Sequence, residues 1–137
     1  MMTTKRKEQR RVATRKYRNT AHGRSRVLLK DARHRARKKR LKCTITVDWL
    51  ESRISEGVCE VSGLPLVISA KKSPWTPSLD RINPRKGYTP ENTRVVVWLY
   101  NMAKGDHSDD DVSQLMEALF TRRKRSKRFI SMTSASS

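Results

Sequence analysis

Cysteine is nearly absent from this chain: Cys43 and Cys59 are the only two among 137 residues. Two thiols cannot build a disulfide framework or a four-cysteine zinc site. They read as reduced thiols, with one bridge between them left open. Long apolar runs are missing too. No stretch approaches the roughly 18 apolar residues of a spanning helix, so no membrane partner is expected. The basic start lacks the apolar segment of a signal peptide, and a cytoplasmic protein is expected. Acids are scarce, with 13 Asp and Glu against 32 Lys and Arg and a net charge of +19. Hydrophobic residues make up 35% of the chain, so the core must come from part of it.

The positive charge that remains is divided by segment. Residues 1–42 carry 18 Lys/Arg against two acids, a net of +16. Residues 122–137 carry six Lys/Arg and no acid, while residues 43–121 carry eight Lys/Arg against eleven acids, a net of −3. The excess therefore sits in two arms around a nearly neutral middle. Dense cations release counterions from a phosphate backbone, which gives strong, salt-sensitive and largely sequence-independent affinity. Nucleic acid is the expected partner. A solvated tail or localisation signal needs far less charge, and the first arm has too few large apolar residues for a membrane anchor.

Residues 1–22 have no usable apolar period and read as a disordered basic arm. From Arg24 to Leu41 the spacing of Leu28, Ala32 and Ala36, with Leu29 beside them, predicts a helix with a narrow apolar seam and a broad cationic face. Thr46 caps a short helix over 47–55, with Val47, Leu50 and Ile54 as its stripe and Gly57 after it. An extended segment turns at Ser62-Gly63. A polar loop with Lys71, Lys72, Pro74 and Pro77 leads to a strand over 78–82. Turn residues fill 83–92, a β-branched strand spans 93–97, and a helix over 98–104 stops at Gly105. Ser108 and Asp111 have capping-box spacing for a helix to about Thr121, with Val112, Leu115, Met116, Leu119 and Phe120 as its buried face. A basic tail occupies 122–137.

Strand, loop, strand and helix thus place Asp80, Asn92 and Asn101 in one small unit. A carboxylate and an amide oxygen form a hard-ligand pair that suits Mg2+ or Mn2+ completed by water and phosphate. The bland reading is a surface ion pair, a turn residue and an ordinary helix position, and spacing alone favours it.

Further residues then carry a resemblance. Ser78-Leu79-Asp80-Arg81-Ile82, Lys86-Gly87-Tyr88-Thr89-Pro90-Glu91-Asn92, Val95-Val96-Val97 and Asn101-Met102-Ala103-Lys104-Gly105 occur in an order that resembles the HNH endonucleases with a ββα-metal fold. The likeness is greatest to the small HNH-like proteins encoded by bacteriophages, and it covers roughly residues 24–115. It implies an α+β fold: a small ββα-metal core with flanking helices and disordered basic arms, the HNH-like domain covering 23–121. It implies a DNA endonuclease hydrolysing phosphodiester bonds, nicking as a monomer in the host cytoplasm, with Asp80 and Asn101 as ligands of one divalent metal. Asn92 would fix the loop and orient the catalytic residue.

One position departs from the pattern. Arg81 stands where most members carry the histidine that activates water. Arginine stays protonated in proteins and cannot act as that base, but it can bind a phosphate oxygen. His107 is the nearest histidine in sequence to take the role. Only Cys59 remains of the paired cysteines that hold zinc in many members, with Ser62 at its partner position, so no structural zinc is expected. Trp49, Trp75, Trp98 and Tyr88 would pack in its place. DNA contacts are expected from Arg24, Arg26, Lys30, Arg33, Arg37 and Lys38 on the basic helix, Arg85 and Lys86 in the loop, Lys104, and Arg122, Arg123, Lys124 and Arg125 in the tail. The rival readings are an inactive HNH-fold DNA-binding protein and a basic RNA-binding or nucleic-acid-packing protein.

Overall fold

The computed structural model describes residues 3–68 and 73–135, the last seven through their backbone alone. Lys71 and Lys72 of the expected loop lie outside the described residues. The chain divides into two compact units, 1–103 and 104–137. The fold is α+β, and the described residues form five helices and one two-stranded antiparallel sheet. No described helix is long and apolar enough to cross a membrane.

Helix α1 (Thr4–Arg18) occupies the segment expected to be irregular. Its Lys, Arg, Gln and Glu side chains keep most of their rotamer freedom in a helix, which favours the state without any apolar period. No residue of α1 is buried, so packing contributes little to it. It leads into α2 (Ala21–Lys39), where the Thr20 hydroxyl accepts the Gly23 N–H at 3.0 Å as an N-cap. The seam of α2 that sinks into the core is Ser25, Leu29, Ala32 and Ala36. Thr46 caps α3 (Val47–Ser55), which buries Leu50 and Ile54. These side chains meet Ile45, Leu79, Tyr88 and Val95 in one cluster. Small alanines on α2 let the helix approach closely, and the bulk comes from α3 and the hairpin.

Strands β1 (Pro77–Arg81) and β2 (Thr93–Val97) pair antiparallel, with Pro77 opposite Val97, Asp80 opposite Arg94 and Arg81 opposite Thr93. The first strand begins one residue earlier than its alternation suggests; Pro77 is tolerated because it opens the strand. Helix α4 (Trp98–Lys104) follows β2 directly and ends at Gly105, whose φ of +52° costs a glycine little. The segment before the hairpin clamps its edge. Glu60 donates its N–H to the Val95 carbonyl at 2.9 Å, and its carboxylate accepts from the Val95 N–H and from Arg53. Val96 and Val97 pack with Cys59 in a second small cluster. Both cysteines are free thiols. Burial pushes the Cys43 thiol up; burial acts the same way on Cys59, but hydrogen bonds from Ser62 and nearby backbone outweigh it and bring that thiol down.

Of the aromatics expected in the core, Tyr88 is buried whereas Trp75 is 41% exposed. The second unit is built on α5 (Asp109–Ala135), which continues well past Thr121. Its stripe corrects an expectation: only Val112 is buried, and Leu115, Met116, Leu119 and Phe120 are exposed.

Candidate nucleic-acid and phosphodiester site

The hairpin register decides what shares a face with Asp80. Alternate residues of a strand point to one side, and directly opposed residues of the partner strand join them. Ser78 and Asp80 therefore share a face with Arg94 and Val96, while Leu79 and Val95 point into the main core. Asp80 is only 2% exposed. A buried carboxylate requires partners, and Arg94 supplies them: Nε donates to Oδ2 at 3.1 Å and Nη2 donates to the same oxygen. Sequence reasoning missed Arg94, since a cross-strand pair becomes visible only once the register is known.

Helix α4 is tied to the same face. The Asn101 side-chain NH2 donates to Ser78 Oγ at 2.7 Å and to the Leu79 carbonyl at 3.0 Å. Both bonds use the nitrogen, so the amide oxygen takes part in neither. The ββα unit thus brings Asn101 onto the strand that carries Asp80.

Asn92 has a different task. Its Oδ1 accepts the Asn83 N–H at 2.9 Å, and its Nδ2 donates to the carbonyls of Asn83 and Gly87 at 3.0 and 2.9 Å. Its backbone carbonyl accepts the Ile82 N–H. The amide is spent on closing the loop over 83–87. Gly87 has no room for a side chain: a Cβ there would lie 2.1 Å from the Lys42 carbonyl oxygen. That approach lets Tyr88 donate its N–H to the same carbonyl at 2.9 Å.

Arg81, at the end of β1, lies over the Tyr88 ring at 5.2 Å and donates to the Lys86 carbonyl at 3.3 Å. The Tyr88 hydroxyl in turn accepts from Arg35 Nε at 3.0 Å. Arg35 of the basic helix and Arg81 of β1 are thus held on one buried ring. His107 lies exposed in the second unit, on the turn after α4, its N–H donating to the Lys104 carbonyl.

The cationic surface is arranged by helices. Arg26, Lys30, Arg33, Arg37 and Lys38 project from the exposed face of α2, and Arg24 is half-buried. A groove of about 630 Å³ between α1 and α2 is lined by Lys7, Arg10, Arg11, Arg15, Arg18 and Arg24. Reading the arm as irregular hid this groove. Arg85 and Lys86 are exposed on the hairpin loop, and Arg122, Arg123, Lys124 and Arg125 on α5. Lys104 is the exception: expected to reach phosphate, it is fully buried. Among the described residues no group of three or more His, Cys, Asp and Glu side chains could hold a metal.

Among solved structures, this fold has a likeness to an HNH restriction endonuclease. That protein, the rare-cutting PacI, is 16% identical; the match covers 69% of this chain and 75% of the other with a TM-score of 0.44. A likeness of that degree fixes neither family nor activity. No protein-family model matches the chain, and no curated protein matches it in sequence.

Proposed function

We propose that the protein is an HNH-type DNA endonuclease that grips the phosphate backbone through its basic helices and hydrolyses a phosphodiester at the β1–β2–α4 unit. The observation that carries this reading is the pair of bonds from Asn101 to β1, which bring an amide onto the strand bearing the buried Asp80. Asp80 and Asn101 are hard oxygen donors and fit a divalent ion that keeps most of its waters, as Mg2+ prefers. They do not amount to an all-protein cage. Held by Asp80 and Asn101, such an ion would supply Lewis-acid chemistry at a phosphodiester.

The chain's own residues set the stage for that chemistry. Arg94 fixes the rotation of the Asp80 carboxylate through Oδ2, as outer-shell partners of ligating carboxylates do. Its positive charge also opposes a metal, so affinity should rise when a phosphate joins the site. Asn92 holds the loop that carries Arg85 and Lys86. Arg81, stacked on Tyr88, binds a non-bridging phosphate oxygen and stabilises charge as it develops.

A second reading has its own observation. Asp80 is already neutralised by Arg94, and Arg81 cannot serve as a base; together these favour a ββα protein that binds DNA without cutting it. Supercoiled plasmid with Mg2+ or Mn2+ separates the two. Nicking that EDTA and Asp80→Ala both abolish supports the enzyme. Tight binding without nicking under either metal supports the second reading and ends the first. His107→Ala at an unchanged rate removes that residue from consideration as the base.

A further inference from the structure

Helix α5 carries a surface that the endonuclease reading does not use. Val112, Leu115, Met116, Leu119 and Phe120 follow the three- and four-residue spacing of an amphipathic face, yet Leu115, Met116, Leu119 and Phe120 are 48–61% exposed. Single exposed apolar residues are ordinary, but a contiguous row marks an interaction surface. The row also has charged ends of opposite sign. Asp109, Asp110 and Asp111 open the helix, and an unbroken Arg122-Arg123-Lys124-Arg125 run follows the apolar stretch. Lys124 already lies over the Phe120 ring, with Nζ 4.7 Å from its centre.

We propose that α5 pairs antiparallel with α5 of a second copy, so that the two apolar rows cover each other. Charge decides both the partner and its direction. A parallel pair would set the two Arg122–Arg125 runs side by side, where like charges repel. In an antiparallel pair centred on the rows, Val112 is level with Phe120 of the second copy. Asp109 is then level with Arg123 of the second copy. Both lie on the side of the helix that carries the apolar row, given 100° of rotation per residue. The twofold axis repeats the pair, so each helix supplies its complement to the other. A negatively charged lipid surface would be drawn to the basic run but repelled by the acidic end. This inference does not rest on the endonuclease reading, since it needs neither Asp80 nor a metal.

Sedimentation equilibrium of the full chain, freed of nucleic acid by nuclease and a high-salt wash and then returned to low salt where surface charges are not screened, reads the result directly. A dimer is expected, and Leu115→Asp with Leu119→Asp should give a monomer of unchanged plasmid binding and helix content. Should that variant unfold, the charge variants still decide the matter. Asp109→Arg or Arg123→Asp alone should weaken association about tenfold, the scale of a close charge pair reversed twice. Both together should restore it. A monomer at every concentration overturns the proposal, whether the row is covered by the chain itself or binds lipid vesicles instead. A dimer indifferent to both charge variants overturns the antiparallel arrangement.

Discussion

At the level of single residues, the strongest constraint is the charge of Asp80. A carboxylate 2% exposed must be compensated where it lies, and Arg94, directly across the hairpin, is its partner. Removing one member of such a pair leaves the other in a medium that solvates it poorly. Arg94→Ala is therefore expected to cost about 3 kcal/mol of stability, read as a lower urea midpoint at unchanged slope. Replacing Asp80 instead removes the charge that needs compensation, so Asp80→Ala should cost less. The reverse ranking would mean that Arg94 is not what holds the carboxylate. Asn92 makes a comparable case with neutral groups. Its side chain satisfies one N–H and two carbonyls of the 83–87 loop. Asn92→Ala should cost about 2–3 kcal/mol, several modest hydrogen bonds with buried partners left behind. It should also raise amide exchange at Asn83. The presence of Asp80, Asn92 and Asn101 in one unit was legible in the sequence, because strand and turn chemistry fixed their order. The pairing with Arg94 was not, since Arg81 stands beside Asp80 in the chain and only the register sets Arg94 directly opposite it.

Elements were most legible where a cap and a stripe agree. Thr46 with Leu50 and Ile54 delimits α3, and Gly105 delimits α4. Where only one signal was available, the element was partly read. Helix α1 has neither cap bond nor stripe, and its helicity comes from propensity alone. Helix α5 starts as expected: the Ser108 N–H donates to Asp111 Oδ2 at 3.1 Å, and the Asp111 N–H donates to Ser108 Oγ at 3.2 Å. Its end was misplaced because the basic run is itself a good helix former. Its stripe was misjudged because spacing specifies a face and not what covers it. The capping box has a pH signature. Hydrogen bonds from the Ser108 backbone and side chain hold the Asp111 carboxyl below its ordinary 3.8. A depressed value favours the folded start of the helix above that pH and withdraws the support as pH falls through the lower, folded value. The Asp111 carboxyl resonance should accordingly titrate below 3.8, and in Ser108→Ala it should move back up. An Asp111 titration that Ser108→Ala leaves in place would show that the box does not hold it.

Across the whole molecule, net charge divides the proposed grip on DNA from the proposed site of chemistry. The segment that holds Asp80 and Asn101 is nearly neutral, whereas residues 1–22 alone carry eight Lys/Arg against Glu8. All eight of those cations lie on α1, five of them lining the groove it shares with α2. None of α1 is buried, so the core assembled from α2, α3 and the hairpin should survive its loss. A chain lacking residues 1–19, which keeps the Thr20 cap of α2, should bind DNA more weakly, and the slope of log affinity against log salt should fall by about 0.9 for each phosphate contact given up. If the protein is the proposed enzyme, metal-dependent nicking at saturating protein should stay close to that of the full chain, because Asp80 and Arg94 remain paired across the hairpin and Asn101 on α4 remains bonded to β1. Fluorescence anisotropy across a salt series measures the first effect, and the plasmid assay the second. A truncated chain with an unchanged salt slope would place the phosphate contacts elsewhere, on the exposed face of α2 and on the basic half of α5. A truncated chain that binds well yet no longer nicks would make α1 part of the site, and the separation of grip from chemistry would fail.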